Sequence, residues 1–216
     1  MPTAQGKKVT AAIARRLRAL WEIRTKKHVV LLIGGPSKVG KSTLAKAIKE
    51  TLRDLPVHSF PLDSWIVSVE KRDPKGDVRT RFEYQGVVEA FNSLLETGAY
   101  VHPVYEVESR RRVKEACDAP VRFPEGIVIV EGVVALDIPQ LRERAGLRVF
   151  CDMDDKLRLE NVRRFYIEGK KLSETETEAI IAQREQDEVA LIRKNVPYAD
   201  YVVDVFKDEM RRRKKP

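Results

Sequence analysis

Four residues near the start of the chain have the types and the spacing that hold phosphate groups. Gly35, Gly40, Lys41 and Ser42 follow the pattern G-x-x-x-x-G-K-[ST] directly after an apolar run, residues 29–33. In such a loop the glycines let backbone N–H groups converge on phosphate oxygens, the lysine reaches the β- and γ-phosphates, and the hydroxyl ligates Mg²⁺. A glycine-rich turn that binds nothing is the alternative, but the strand before the turn and the helix after it favour a phosphate-binding loop. The residues expected to form this loop are Gly35, Pro36, Ser37, Lys38, Val39, Gly40, Lys41, Ser42 and Thr43.

Two carboxylates follow apolar segments that should enter the same sheet. Asp63 comes after residues 57–60, and Glu131 ends the run GIVIVEG at residues 126–132. Ligands of parallel sheets collect beyond the carboxyl ends of the strands, so both side chains should lie near the bound phosphates. Asp63 could orient an acceptor hydroxyl and take its proton, or it could equally cap a helix that starts at Ser64. Glu131 is expected to hold Mg²⁺ together with Ser42, directly or through water.

Polar segments elsewhere are candidates for closing over a substrate. Residues 71–86 are charged and broken by Pro74 and Gly76, as expected of a mobile loop. Residues 99–122 indicate a β-excursion that carries the basic cluster Arg110 to Arg112, which could bind a phosphate or carboxylate or could simply be exposed. Residues 156–195 predict two charged helices around a break at 169–173, either a lid that brings an arginine over the γ-phosphate or a solvent-facing helical hairpin.

Length and composition limit the class of protein. A chain of 216 residues with 43% hydrophobic and 34% charged residues fits one α/β domain of a globular protein. No apolar run is long enough to span a membrane, and the N-terminus lacks the core of a signal peptide, so a cytoplasmic location is expected. Cys117 and Cys151 fit neither a disulfide framework nor a metal cluster.

The formal charge of +8 is concentrated at the ends of the chain. Residues 1–27 contain eight Lys or Arg and one Glu, residues 211–215 add five basic residues, and residues 28–210 therefore carry a net charge of −4. Within the first segment, apolar residues recur every three or four positions over residues 9–24, which predicts an amphipathic helix that packs on the domain rather than on a membrane. We therefore expect a basic N-terminal helix at 1–27, a central domain at 28–210 and a basic, solvated tail at 211–216.

An ordered set of motifs resembles a known family. The segments IGGPSKVGKST, LDSW, PVYEVESR, IVIVEGVVALD, LRVFCDMDDKLRLENVRR and PYADYVVD are similar to those of the uridine kinase and phosphoribulokinase group of P-loop kinases, and most similar to uridine kinase, over residues 28–206. The resemblance implies a P-loop three-layer α/β sandwich with a mostly parallel sheet, a small β-insertion and a helical lid. It also implies transfer of phosphate from ATP, with Mg²⁺, to an alcohol. It assigns Asp63 as the base, Tyr105 and Arg110 to the acceptor pocket, and Arg163 and Arg164 to the lid.

Two departures from the family pattern concern the acceptor. Uridine kinases carry a D-H-P-D-A-F element where this chain has residues 81–86, RFEYQG, and a histidine where this chain has Glu108. We therefore expect an acceptor other than uridine, with Glu83 as a candidate to bind a sugar hydroxyl. The expected partner is a small molecule; a membrane and nucleic acid are not expected, and a homo-oligomer is open. The alternatives are an ATPase or switch without an acceptor, and a polyanion-binding protein that uses its basic ends.

Overall fold

The computed structural model describes residues 6–73, 75–107 and 109–213. The strands in these ranges are β1 (His28–Gly34), β2 (Val57–Pro61), β3 (Ala99–Tyr100), β4 (Val104–Glu106), β5 (Arg111–Lys114), β6 (Val121–Arg122), β7 (Gly126–Glu131), β8 (Leu147–Cys151), β9 (Tyr201–Asp204) and β10 (Glu209–Arg212). Six of them form the central sheet in the order β10-β9-β8-β1-β7-β2, in which β10 is antiparallel to its neighbour and the other pairs are parallel.

Helices cover both faces of this sheet. They are α1 (Lys7–Glu22), α2 (Lys41–Thr51), α3 (Tyr84–Thr97), α4 (Pro139–Arg144), α5 (Asp155–Arg164), α6 (Glu174–Arg184) and α7 (Ala190–Arg193). In β1, Val30 and Leu32 join a core with α3 and α4, whereas Leu31 and Ile33 join a second core with α1 and α2. A strand buried on both faces reads as a continuous apolar run, which is why β1 is recognisable from the sequence. The predicted three-layer α/β fold is confirmed.

The N-terminal helix belongs to the second of these cores. Val9, Ile13 and Leu17 of α1 are at most 1% exposed, and they pack in one cluster with Leu44 and Ile48 of α2. The polar face of α1 remains toward solvent, as the three- and four-residue spacing predicts. The apolar face of α1 is therefore buried within the protein itself.

The end of the chain differs from the expected basic tail. Arg211 and Arg212 lie in β10, which pairs with β9 through Arg211↔Val202 and Arg212↔Tyr201. The turn before β10 is closed by Asp204, whose Oδ1 accepts the backbone N–H groups of residues 206 and 207. An edge strand tolerates charged side chains because much of it faces solvent, so the basic composition did not reveal a strand. Residues 214–216 of the expected tail, and residues 1–5 of the N-terminal segment, lie outside the described residues.

Two accessory parts are added to the central sheet and its covering helices. Between α3 and β7, β3 pairs with β6 and β4 pairs with β5, both antiparallel. The other part consists of α5 and α6, which we call the lid helices; α5 continues into a π-helical turn, Phe165–Gly169, and α6 continues into a second one, Glu185–Val189. No helix in the described ranges is long and apolar enough to span a bilayer.

The burial of α1 makes a stability prediction. Replacing Ile13 by Ala removes a fully buried side chain between α1 and α2, so the free energy of unfolding should fall by roughly 2–5 kcal/mol. Urea denaturation followed by circular dichroism measures this change. Replacing Arg15, which is exposed on the same helix, by Ala should change the unfolding free energy by less than about 0.5 kcal/mol. Equal effects of the two substitutions would show that α1 is not part of the core.

Candidate active site

The phosphate-binding loop joins β1 to α2 and has the geometry that its glycines allow. Gly35 has φ 135°, and a Cβ atom there would lie 2.1 Å from the carbonyl oxygen of Cys151 in β8. Gly40 has φ 94° and is the residue that precedes α2. Only glycine enters both conformations without strain, so the two positions fix the loop against the sheet. The N-terminus of α2, with its positive dipole end, points into the loop.

Two lysines of this loop line the cavity beside it. Lys41 is only 8% exposed, and its Nζ donates a hydrogen bond of 2.7 Å to the carbonyl oxygen of Pro36. Lys38 has a left-handed backbone conformation with φ 66°, and its Nζ lies 3.1 Å from the ring centroid of Phe165 in the lid. The pKa of Lys38 is lowered to about 8, mainly by burial and further by the neighbouring Arg184 and Lys41. Both ammonium groups are therefore held where an anion would relieve their mutual repulsion.

Ser42 and Glu131 meet at the ends of α2 and β7. The Ser42 Oγ donates to the Glu131 carboxylate, at 3.1 Å from each of its two oxygens. Burial raises the pKa of Glu131, the negative charge of Asp63 raises it further, and Lys41 and the Ser42 hydrogen bond oppose the shift. A divalent cation would offset this repulsion between carboxylates, and a hydroxyl beside a carboxylate suits Mg²⁺.

The protein offers this cation few ligands. In the part of the chain that the structure describes, no group of three His, Cys, Asp or Glu side chains could hold a metal ion. Mg²⁺ commonly binds through one or two protein groups and completes its shell with water and substrate phosphates. The donor set of Ser42 and Glu131 fits that mode of binding.

Asp63 is held on a rigid turn at the end of β2. It lies inside the 3₁₀ turn Leu62–Trp65, whose flanking residue Pro61 makes no capping bond, so Asp63 is not the helix cap that the sequence also allowed. Leu62 and Trp65 are buried on either side of it, and Trp65 stacks on Phe60 with 4.8 Å between ring centroids. The Asp63 side chain is exposed and lines the cavity beside the phosphate-binding loop.

The cavity has a volume of about 580 Å³ and reaches from the phosphate-binding loop to the β4–β5 hairpin. Seven cationic side chains line it: Lys38, Lys41, Arg72, Arg81, Arg110, Lys170 and Arg184. Three acidic side chains line it as well: Asp63, Glu131 and Glu188. The excess of positive charge is typical of a site for anionic ligands.

The three predicted acceptor residues have different positions. Tyr105 and Arg110 line the cavity, and the Tyr105 hydroxyl accepts a 2.9 Å hydrogen bond from Arg72. Glu83 does not line it, because its carboxylate accepts a 2.6 Å hydrogen bond from Arg112 on β5. Glu83 thus pairs with an arginine of the β-insertion, and its expected role in binding a sugar hydroxyl stays a prediction.

The predicted lid arginines also lie elsewhere. Arg163 forms an ion pair with Glu178, with 2.6 Å between Nε and Oε1, and so joins α5 to α6; Arg164 is exposed. Among the described residues neither of them lines the cavity. Arg184, which sequence reasoning missed, does so, and its Nη1 donates a 2.8 Å hydrogen bond to the Ser37 Oγ of the phosphate-binding loop. Arg184 is therefore the lid arginine that lines the cavity, and a catalytic role for Arg163 or Arg164 stays a prediction.

A buried carboxylate holds this arginine in place. Glu188 is 2% exposed, accepts the Ser37 N–H at 2.9 Å and lies 3.6 Å from Arg184. Burial opposes the charge of Glu188, but Arg184 and the Ser37 hydrogen bonds outweigh it and keep the pKa of Glu188 below its ordinary value. The π-helical turn brings Asp187 and Glu188 to the same arginine, Arg81 of the 71–86 loop, which pairs with both. Neither acid carries a signal in the sequence beyond its place in the expected lid.

The fold and this site define the chain as a P-loop nucleotide-binding α/β protein. The family model described as Phosphoribulokinase / Uridine kinase family matches residues 30–210, so the chain belongs to that family, as the motif resemblance predicted. The chain is 26% identical over 140 residues to the uridine kinase of Clostridium botulinum (strain 657 / Type Ba4), and the match covers 62% of this chain and 66%, just under two thirds, of that relative.

The chain is also similar to a second curated relative and to a solved structure. The uridine kinase of Alkaliphilus metalliredigens (strain QYMF) is 29% identical over 154 residues, which cover 68% of this chain and 72% of the relative. The structure described as that of a possible uridine kinase from Bacillus stearothermophilus superposes with a TM-score of 0.57 at 23% identity, covering 76% of this chain and 94% of that one. At this identity the structural likeness establishes the fold alone.

The lowered pKa of Lys38 predicts how nucleotide affinity depends on pH. A bound polyphosphate favours the charged ammonium group of Lys38. It should therefore raise the pKa of Lys38 above the value of about 8 in the protein without nucleotide. Binding should take up a proton at pH 8–9, and affinity should fall as pH rises through and above 8, by up to about tenfold per pH unit. Calorimetric titrations of Mg²⁺ and ATP in buffers of different ionisation enthalpy measure the proton uptake.

Two lysine substitutions test this prediction. Lys38→Met should abolish the proton uptake at pH 8–9. The matched control Lys46→Met, at an exposed position of α2, should leave the proton uptake unchanged. Proton uptake that persists without Lys38 would contradict the assignment.

Proposed function

We propose that the protein transfers the γ-phosphoryl group of ATP, in the presence of Mg²⁺, to a hydroxyl group of a small metabolite. The observation that carries this proposal is the presence of Asp63 in the same cavity as the Ser42–Glu131 pair, close enough that its charge raises the pKa of Glu131. An acceptor hydroxyl needs a carboxylate that orients it and takes its proton, and Asp63 is an exposed carboxylate of this cavity that can do so. Because the donor is ATP, we expect the reaction to take place in the cytoplasm.

The residues of the site have separate roles in the proposed reaction. The backbone N–H groups of the phosphate-binding loop and Lys41 hold the phosphates. Ser42 and Glu131 would hold Mg²⁺, which would supply positive charge beside the phosphates. Asp63 orients the acceptor hydroxyl and takes its proton as the new O–P bond forms. The bond between the γ-phosphorus and the β–γ bridging oxygen breaks, and ADP leaves.

Arg184 completes this arrangement from the lid. Its guanidinium is fixed by Ser37 and Glu188, so it is oriented before any substrate binds. A preorganised cation next to the phosphate-binding loop stabilises negative charge that develops on the transferred group. Glu188 acts through Arg184 and Ser37 and is therefore a positioning residue.

Substitution of the proposed base separates binding from chemistry. Asp63→Asn removes the proton acceptor but keeps the shape of the turn, so kcat should fall by roughly 10²–10⁴-fold while the affinity for Mg²⁺ and ATP stays close to that of the native protein. Release of ADP in the presence of a metabolite library measures the first quantity, and calorimetry measures the second. Glu96→Gln, on the exposed face of α3, is the control.

The outcomes distinguish the proposal from its alternatives. Unchanged acceptor-dependent ADP release by Asp63→Asn would contradict the assignment of the base. ADP release that no metabolite accelerates would indicate an ATPase or switch. Failure to bind nucleotide, together with salt-sensitive binding of nucleic acid, would indicate a polyanion-binding protein.

Substitutions in the lid test which arginine acts. Arg184→Ala should lower kcat by about 10²-fold or more, because a charge-stabilising donor is lost from the transition state. Arg163→Ala should change kcat less than about twofold, since its partner is the exposed Glu178 of the neighbouring lid helix. Steady-state kinetics of both variants, with thermal unfolding to confirm that each is folded, make the comparison. A larger fall in kcat for Arg163→Ala than for Arg184→Ala would contradict the proposed role of Arg184.

A further inference from the structure

Two arginines that line the cavity have no acidic partner among the described residues. In the described ranges, no carboxylate lies within 4.0 Å of a guanidinium nitrogen of Arg72 or Arg110. Arg72 instead donates from Nε to the carbonyl oxygen of Val67 at 2.8 Å and from Nη2 to the Tyr105 hydroxyl at 2.9 Å. These two bonds fix the orientation of its guanidinium, and neither of them neutralises its charge.

The neighbouring arginines of the same loop and hairpin are neutralised. Arg81 pairs with Asp187 and Glu188 of the lid. On the hairpin, Arg111 pairs with Glu70 and Arg112 pairs with Glu83. The contrast separates one group of arginines, which hold the fold together, from the pair Arg72 and Arg110, whose charge is presented to the cavity.

The backbone holds this pair of arginines at one end of the cavity. Arg110 occupies the turn between β4 and β5 with a left-handed φ of 57°, and its carbonyl oxygen accepts the N–H of Val69 at 3.0 Å. Val69 belongs to the short helical turn Val69–Lys71, which Arg72 follows directly, so hairpin and loop are tied together. The positive charge of Arg110 is near enough to add to the lowering of the pKa of Arg72, of which burial is the main cause. Two like charges held together without a counter-charge are typical of a site that receives an anion.

The phosphate-binding loop has cationic side chains of its own. Lys38, Lys41 and Arg184 lie at that loop, whereas the Arg72 side chain contacts the Tyr105 hydroxyl and the Val67 carbonyl oxygen, and the Arg110 carbonyl oxygen accepts the Val69 N–H. We infer that the acceptor carries an anionic group, a carboxylate or a phosphate, that Arg72 and Arg110 bind while the hydroxyl to be phosphorylated faces Asp63. This inference rests on the proposed function for the identity of the ligand as acceptor.

The test measures binding, so it does not depend on turnover. Ribose, ribonate and ribose 5-phosphate share a carbon chain and differ in carrying no anion, a carboxylate or a phosphate. Each is titrated calorimetrically into the full chain saturated with Mg²⁺ and a non-hydrolysable ATP analogue, which keeps the probes out of the phosphate-binding loop. At least one of the two anions should bind about tenfold or more tightly than ribose, and the better of them identifies the anion.

Three variants locate the preference. Arg110→Gln should remove it, since Arg110 is exposed and its side chain forms no ion pair with another described residue. Arg72→Lys keeps the positive charge but loses the planar guanidinium with its fixed N–H donors. It should therefore weaken binding of the better anion more than binding of ribose. Arg111→Gln is the matched control on the adjacent residue, which pairs with Glu70 and does not line the cavity, and it should keep the preference.

Each remaining outcome counts against the inference. Equal affinities for all three probes, no measurable binding of either anion, or an anion preference that survives Arg110→Gln would overturn it. A protein that shows the anion preference but transfers no phosphate from ATP would retain the anion site and overturn only the proposed function.

Discussion

The rest of the structure depends on the register in which β7 pairs with β1 on one side and β2 on the other. Glu131 lies opposite Ile33 of β1 and opposite Pro61 of β2, and Gly34 lies opposite Phe150 of β8. All these strands are parallel, so their carboxyl ends meet at one edge, and the phosphate-binding loop, the metal-site carboxylate and the turn that carries Asp63 leave the sheet together. A slip of one residue would turn every side chain of a strand to the opposite face, and the two hydrophobic cores prevent it.

Above this edge, one set of ion pairs joins segments that are distant in sequence. Glu188 and Arg184 bind Ser37 of the phosphate-binding loop, and Arg81 of the 71–86 loop binds Asp187 and Glu188. The lid is thereby connected to the donor side and to the acceptor side of the cavity at once. Because Glu188 is buried, its charge must be compensated, and its pairing with both Arg184 and Arg81 gives the lid a defined position over the site.

The sequence was informative where local physics decides the structure. The buried strands β1 and β7 read as continuous apolar runs, and the spacing of Gly35, Gly40 and Lys41 requires a specific turn, so the fold and the loop were predictable. Which side chain of a charged helix faces the cavity was not predictable. Charged residues occur throughout residues 156–195, so spacing alone could not separate Arg184 from Arg163.

Tertiary pairing decided the remaining differences. Glu83 lies where an acceptor residue was expected, but its carboxylate forms an ion pair with Arg112 of β5. This contact depends on how the β4–β5 hairpin folds back. Arg72 was hidden in a polar loop whose composition indicates only exposure. The strand β10 was hidden in a basic tail, because edge pairing depends on the backbone more than on side-chain type.

The central claim is that the phosphate-binding loop, with Ser42 and Glu131, holds a nucleotide triphosphate together with Mg²⁺. Its most direct test is a calorimetric titration of the purified chain with ATP, first with Mg²⁺ present and then with the metal chelated. The account predicts saturation at one nucleotide per chain with Mg²⁺ and clearly weaker binding without it. No binding in either condition, or the same affinity in both, would contradict the account.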